Sequence, residues 1–324
     1  MMRVVRWIFG ALVVSVAGLW LFGPYEPVDL SPRFDAAALG NDPAGYLVRA
    51  EAGVADLRAG AAKRVVWAVA EGVKTPLAVV YLHGFSASAE EIRPVPDRVA
   101  QALGANLVYA RFAGHGRSGA DAMAEGSVAA WMRDTSEALA VARAVGERVL
   151  IIGTSTGATL AAVAATQPDL MQDVVGMALI SPNFGVNHAV APLLTFPAAR
   201  HWLPMIMGHR RAFAPRSAAQ AAHWTTEYPS VAVFPMAALA GYAAGADYGA
   251  VTVPALFYFS DADQVVQPAQ TRAVMARWGG PVSVAQPELG AGDDPLAHVI
   301  AGAIMSPGNT AAAVAAISVW QRGL

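Results

Sequence analysis

The stretch Gly153-Thr154-Ser155-Thr156-Gly157 sets a serine between two glycines, directly after the apolar run Arg148–Ile152 and directly before a segment of helical composition. A serine on a sharp strand-to-helix turn has an exposed hydroxyl and a strained backbone. Glycines on either side remove side chains that would collide in so tight an elbow. Read more plainly, Ser155 would only cap a helix. A serine hydroxyl is too weak an acid to attack a carbonyl unaided and needs an imidazole base, itself oriented by a carboxylate. Asp261 and Asp263 close the buried-looking strand Ala255–Phe259, at the carboxyl end where open parallel sheets place their ligands. His298 follows beyond the next strand, in a loop rich in Gly and Asp. The serine, either acid and the histidine are thus candidates for acyl transfer through a covalent serine ester.

The elements that must hold them can be read from the pattern of apolar runs. Val65–Ala70, Leu77–Leu82, Asn106–Phe112, Arg148–Ile152, Val174–Ile180, Ala255–Phe259 and Val282–Ala285 read as strands, short apolar or β-branched runs between turn residues. Ser88 stands at capping-box spacing from Glu91 and opens a helix expected to run to about Leu103. Further helices are expected over Val128–Val145, Thr156 to about Thr166, Pro268–Trp278 and Asn309–Gln321. Continuously apolar strands separated by helices imply an α/β fold with a mostly parallel sheet covered on both faces. Between Pro182 and about Val251 the alternation stops. A structureless loop of that length does not suit a compact domain, so a mostly helical insertion at about 183–250 is expected.

With these elements in place, the chain resembles the α/β-hydrolases, in particular their monoacylglycerol-lipase-like and serine-aminopeptidase-like branch. The resemblance covers roughly residues 65–322. It rests on His83-Gly84-Phe85 after one strand, Gly114-His115-Gly116-Arg117-Ser118 after the next, the elbow at Ser155, and His298-Val299-Ile300-Ala301-Gly302 near the end. The chain order serine, acid, histidine is that of this fold. In this family the acid precedes an x-V-V or x-I-V step, which matches Asp263 followed by Gln264-Val265-Val266 and makes Asp261 the runner-up. The resemblance also implies an oxyanion hole made by the backbone N–H groups of Phe85 and Thr156, a triad of Ser155, Asp263 and His298, and no cofactor. His83 and His115 become loop-packing residues by the same comparison. Asp293 and Asp294 read as solvated loop acids. His188, His201, His209 and His223 lack metal-ligand spacing, so no metal is expected.

The resemblance further implies that the insertion, between the sixth and seventh strands of such a sheet, lies over the nucleophile as a lid. It carries Phe196, Trp202, Phe213, Trp224, Tyr228 and Met236 among its apolar side chains, and some of these would line an acyl pocket. Its charges are Arg200, Arg210, Arg211 and Arg216 against Glu227 and Asp247. Paired acids for a free ammonium are wanting, which favours a small-molecule or lipid carboxylic ester over a peptide with a free amine. The arginines are expected to meet anionic lipid headgroups. Alternatives are a peptidase or acyltransferase using the same triad, or an inactive membrane-tethered binding module. Haloalkane or epoxide chemistry would call for a carboxylate where Ser155 stands.

Composition narrows the classes. Lys+Arg 22 against Asp+Glu 24 gives a net charge of -2 and no field to attract nucleic acid. The absence of cysteine rules out disulfides, a thiolate nucleophile and cysteine lipidation. At the N-terminus, Arg3 and Arg6 precede an apolar run from Trp7 to Phe22 that ends at Gly23-Pro24, with Glu26 and Asp29 beyond. The run ends Trp20-Leu21-Phe22 without a small-x-small cleavage site, so residues 1–23 are expected to be an uncleaved membrane anchor, the alternative being a signal peptide. Basic residues before the run put the N-terminus in the cytoplasm and the catalytic domain outside. Residues 24–60 read as a linker and 61–324 as the catalytic domain, with its oligomeric state left open.

Overall fold

The computed structural model describes residues 2–324. α1 (Met2–Phe22) contains Val5–Phe22, a stretch long and apolar enough to cross a membrane and with none of its length buried. Segment 24–60, expected as an irregular linker, instead carries a 3-10 turn at Ala36–Leu39 and α2 (Pro43–Ala52). Asp42 caps α2 by accepting from Gly45 N, and Pro43 sits in the first turn, where its missing N–H costs nothing. Leu39 and Leu47 join the core. The buried Glu51 meets the Arg111 guanidinium at two points, 2.7 and 2.8 Å. So short a helix, with Leu47 its one buried apolar side chain, leaves almost no periodic signal in the sequence.

The chain then runs β1 (Arg64–Val66), β2 (Thr75–Leu82), α3 (Val95–Leu103), β3 (Asn106–Tyr109), α4 (Val128–Val145), β4 (Gly146–Thr154), α5 (Thr156–Ala165) and β5 (Val174–Ile180). A long excursion follows, containing α6 (Ala199–Met207), β6 (Arg210–Ala212), α7 (Ala218–His223), β7 (Glu227–Pro229) and α8 (Val233–Gly245). The alternation resumes with β8 (Ala255–Tyr258), α9 (Pro268–Met275), β9 (Val282–Ala285) and α10 (Thr310–Arg322). Seven strands form one sheet in the order β1-β3-β2-β4-β5-β8-β9, with β1 antiparallel to β3 and every other pair parallel.

Alternation along the strands divides the core between the two faces. Ala78, Val80 and Leu82 of β2 pack with α4 and α5 residues on one side. Leu77, Val79 and Tyr81 pack with residues of α3 and α10 on the other. Both faces are therefore apolar, as a covered parallel sheet requires.

The helix expected from Ser88 begins only at Val95, because Pro94 disfavours helical geometry at Arg93 and Glu91 turns inward and does not close a capping box. The excursion leaves the sheet after its fifth strand in chain order, not its sixth, since residues before β1 form helix and turn where a further strand would add one to the count. The excursion is also less helical than expected, because β6 and β7 pair as a small antiparallel sheet. At three residues each, they are too short to display a period of two.

If residues before β1 belong to the folded body, Leu47→Ala should lower stability by about 2–5 kcal/mol. Urea denaturation would show a lower midpoint with an unchanged slope, whereas an unchanged midpoint would return the segment to linker status.

Candidate active site

The β4–α5 junction is set by backbone packing. Ser155 stands between the last residue of β4 and the first of α5 with φ 51 and ψ -117, a region costly for any residue with a side chain. Backbone hydrogen bonds hold it there: Ser155 N donates to Ile180 O at 2.9 Å, while Thr159 N and Asn183 N donate to Ser155 O at 3.0 and 3.3 Å. A Cβ on Gly157 would lie 2.1 Å from Leu82 O, and one on Gly153 would lie 2.8 Å from the backbone of Ala158. Both glycines of the motif are thus demanded by close approach of α5 to the sheet. Thr156 is the first residue of α5, so its N–H has no acceptor within the helix and adds to the positive end of the helix dipole.

His298 reaches the junction from the loop after β9. Its Nε2 lies 3.0 Å from Ser155 Oγ, and its Nδ1–H donates to Asp263 Oδ2 at 2.8 Å. The other oxygen of Asp263 accepts from Val265 N and Val266 N at 2.8 and 2.9 Å, so the Val-Val step locks the carboxylate in place. Burial disfavours the imidazolium, but the hydrogen bond and charge of Asp263, with the charges of Glu91 and Asp294, outweigh it and hold His298 above its ordinary 6.5. Asp261 is more than half exposed and pairs with Arg272 and Gln286, turned away from the histidine.

Ser155 and His298 open onto a cavity of about 410 Å³, with Asp263 buried behind the histidine. Phe213, Trp224, Tyr228 and Met236 of the excursion, with Val186, Val266 and Met305, give it a mostly apolar lining, and Phe85 and Thr156 stand at its wall beside Ser155. Cavities of this size and character suit small apolar ligands oriented by a few polar groups. The Phe85 ring does not hang free. It packs edge-on against Tyr228, 5.5 Å between centroids, and against His115 and Trp131.

The family model described as serine aminopeptidase, S33, matches residues 74–284. The chain belongs to that family. No curated protein matches it in sequence. Among solved structures, one described under LipS and LipT, two metagenome-derived lipolytic enzymes, superposes with a TM-score of 0.66 at 17% identity, covering 83% of this chain and 100% of that one. A soluble variant of monoglyceride lipase from Saccharomyces cerevisiae gives 0.62 at 13%, covering 81% and 90%. Monoacylglycerol lipase from Paleococcus ferrophilus gives 0.53 at 14%, covering 81% and 98%. At these identities the shared property is the α/β-hydrolase fold.

Within this S33-family chain, several residues stand where sequence reasoning did not put them. Asp293 and Asp294, expected as solvated, are each only 4% exposed. Asp294 accepts from the N–H groups of Leu296, His298 and Val299 and faces Arg216, while Asp293 accepts from Gly290 and Gly308. A loop drawn into the protein must satisfy its backbone donors, and these carboxylates do it. The arginines expected to face lipid are largely paired: Arg200 with Glu26, Arg210 with Asp121 and Glu227, Arg216 with Asp294. Counting acids within the excursion alone missed partners supplied by the body.

His83 Nδ1–H donates to Gly84 O and its Nε2 accepts from Phe112 N, while His115 is held by Ala113 O. Burial lowers both, His115 to about 4, so they are neutral packing groups. Glu91 was missed as a site residue. It is buried at the cavity wall, and only its pairing spacing with Ser88 had drawn notice.

The strain at Ser155 has a measurable consequence. Ser155→Gly should unfold at higher denaturant than Ser155→Ala, by about 1 kcal/mol after the entropy cost of glycine is set against relief of the positive φ. Equal midpoints would show that the elbow stores no strain.

Proposed function

We propose that the protein is a serine carboxylic-ester hydrolase of lipase or esterase type. The observation that carries this reading is the hydrogen-bonded line Ser155 Oγ, His298, Asp263, with Ser155 and His298 lining a mostly apolar cavity. Ser155 Oγ attacks the ester carbonyl carbon as its proton passes to His298 Nε2, and the carbonyl electron pair moves onto oxygen. The N–H groups of Phe85 and Thr156 receive that oxyanion, where the N-terminus of α5 adds favourable potential. Collapse expels the alcohol, which takes the proton from His298 and leaves an acyl-serine. Water then attacks, giving its proton to His298, and a second collapse releases the acid and returns the proton to Ser155. Asp263 holds the tautomer and stabilises the imidazolium without taking the proton.

The same reading makes the excursion at about 183–250 a lid whose apolar side chains face the acyl group. It also makes residues 1–23 a membrane anchor, with the catalytic domain on the extracytoplasmic side. The anchor is supported by the bare apolar length of α1. Full-length protein should stay in the membrane fraction through an alkaline carbonate wash, and release into the soluble fraction would favour an exported form with a cleaved signal.

Three measurements test the chemistry. A fluorophosphonate probe should label the wild type and not Ser155→Ala. Asp263→Asn should lower kcat by about 10³–10⁴-fold, while Asp261→Asn changes it less than about 3-fold. p-Nitrophenyl esters should turn over faster than aminoacyl anilides, and the reverse order would favour a peptidase. Because the free imidazole is the base and Asp263 holds His298 above 6.5, kcat/KM should rise with pH through a value above 6.5 and be lost below it.

A further inference from the structure

The loop between β2 and α3 holds a carboxyl group that the mechanism above does not use. Glu91 is 2% exposed and lies at the cavity wall beside Ser155. Its Oε2 accepts from Gly84 N at 2.7 Å and from the Tyr81 hydroxyl at 2.8 Å. Tyr81 in turn lies 3.2 Å from the hydroxyl of Thr154, the residue before the nucleophile. Oε1 stands so near Gly84 that a Cβ there would lie 2.6 Å from it and 3.2 Å from Ser155 Cβ. On the far side, Ala303 N donates to Arg93 O at 2.8 Å, tying the same loop to the segment after His298. Glu91 therefore joins β2, the elbow and the loop that carries Phe85.

Its surroundings are unusual for a buried acid. The neighbouring Glu90 takes the nearby cations, pairing with Arg64 and Arg93, whereas the hydrogen-bond donors to Glu91 are neutral. The titratable groups that face it are Tyr81, with Tyr109 behind, and His298, with Asp263 and Asp294 behind and Arg216 closing on Asp294.

We propose that Glu91 is a positioning residue of the oxyanion loop: its carboxyl holds the N–H of Gly84, one residue before Phe85, and so sets the course of the loop in which Phe85 N–H points at the reacting oxygen, and the loop works best with that carboxyl uncharged. The inference rests on the ester-hydrolase reading. A neutral carboxyl still accepts from Gly84 and Tyr81 through its carbonyl oxygen, though more weakly than an ionised one does. Ionised, it sets an uncompensated negative charge beside an oxygen that is itself becoming negative, in a site where water does little screening. Burial pushes Glu91 up to about 7, against the pull of Gly84 N–H, Tyr81 and His298, so the carboxyl changes state within the range where the histidine also titrates. The ionised form also favours the imidazolium, so the two groups act on one another.

The test is the pH profile of kcat/KM for a short p-nitrophenyl ester and of fluorophosphonate labelling, with full-length wild type, Glu91→Gln and Glu91→Ala. Wild type should rise as His298 loses its proton and then fall about 3–10-fold on the alkaline side. Glu91→Gln keeps the shape and the acceptor but cannot ionise. It should lose the alkaline fall and move its acid limb to lower pH, since the imidazolium loses a negative neighbour. Glu91→Ala should lower kcat about 10–10²-fold at every pH with KM within about 3-fold, less than the loss of an oxyanion donor itself. An unchanged alkaline limb in Glu91→Gln overturns the inference, and if Glu91→Ala does not fold, that profile decides alone. A wild type that takes no probe would remove the hydrolase reading, and this inference with it. A wild type that labels while Glu91→Gln behaves identically would remove this inference only.

Discussion

The contact on which the site depends is between the backbone of Gly157 and the carbonyls of Leu82 and His83, which leaves no room for a side chain. It brings the N-terminus of α5 directly onto the carboxyl end of β2. Sheet register does the rest: Leu82 lies opposite Gly153, and Thr154 opposite Ile180, so the elbow and the loop after β2 leave the sheet at the same level. Ser155 is then forced into its positive φ because the strand must end and the helix begin within one residue. The strain is not a local accident of the serine; it is what remains when two parallel strands and one helix are pressed together this closely.

Around that junction the electrostatics are carried by acids whose partners are mostly backbone N–H groups. Asp263 is held by Val265 and Val266, Asp294 by Leu296, His298 and Val299, and Glu91 by Gly84 and the Tyr81 hydroxyl. Such donors fix orientation without the mobility of a lysine or arginine side chain. They also let one histidine sit among negative groups, which raises it and stabilises its cation once it has accepted a proton. The same charges would oppose an oxyanion, so their placement relative to His298 and to the Gly84–Phe85 peptide matters more than their number.

Much of this was legible in the sequence, and the parts that were not have physical reasons. The strands were found because a sheet buried on both faces writes continuous apolar runs, and the elbow because its glycines are sterically compulsory. Choosing Asp263 over Asp261 needed the resemblance, because both acids end the same strand and differ only in what the folded loop offers them. Asp293, Asp294 and Glu91 were misread for a related reason. A carboxylate buried to satisfy backbone donors looks, in one dimension, like any loop acid or helix cap. α2 was missed because its buried Leu47 sits beside an exposed Val48, which blurs the helical period, and the partner of Glu51, Arg111, lies far along the chain.

Besides the packing of α8 in the core, two kinds of contact between the excursion and the body differ in what they resist. Arg210 to Asp121 is an ion pair near the surface, which solvent screens and which yields at little cost. Thr225 N donating to Ser86 O at 2.7 Å and the Phe85–Tyr228 ring contact are different, because they grip the loop that carries the Phe85 N–H. A displacement of the excursion that releases only the Arg210–Asp121 pair leaves the loop after β2 in place. A displacement that also releases Thr225 and Tyr228 loosens the Phe85 loop from the excursion side, leaving it held from the interior by Glu91 on Gly84 N, by His83 on Gly84 O and by the His115 and Trp131 rings. Access to the cavity and readiness of the proposed oxyanion hole are therefore coupled through one short loop, and the coupling lies in a backbone hydrogen bond and an aromatic contact rather than in the arginines that dominate the charge of the excursion.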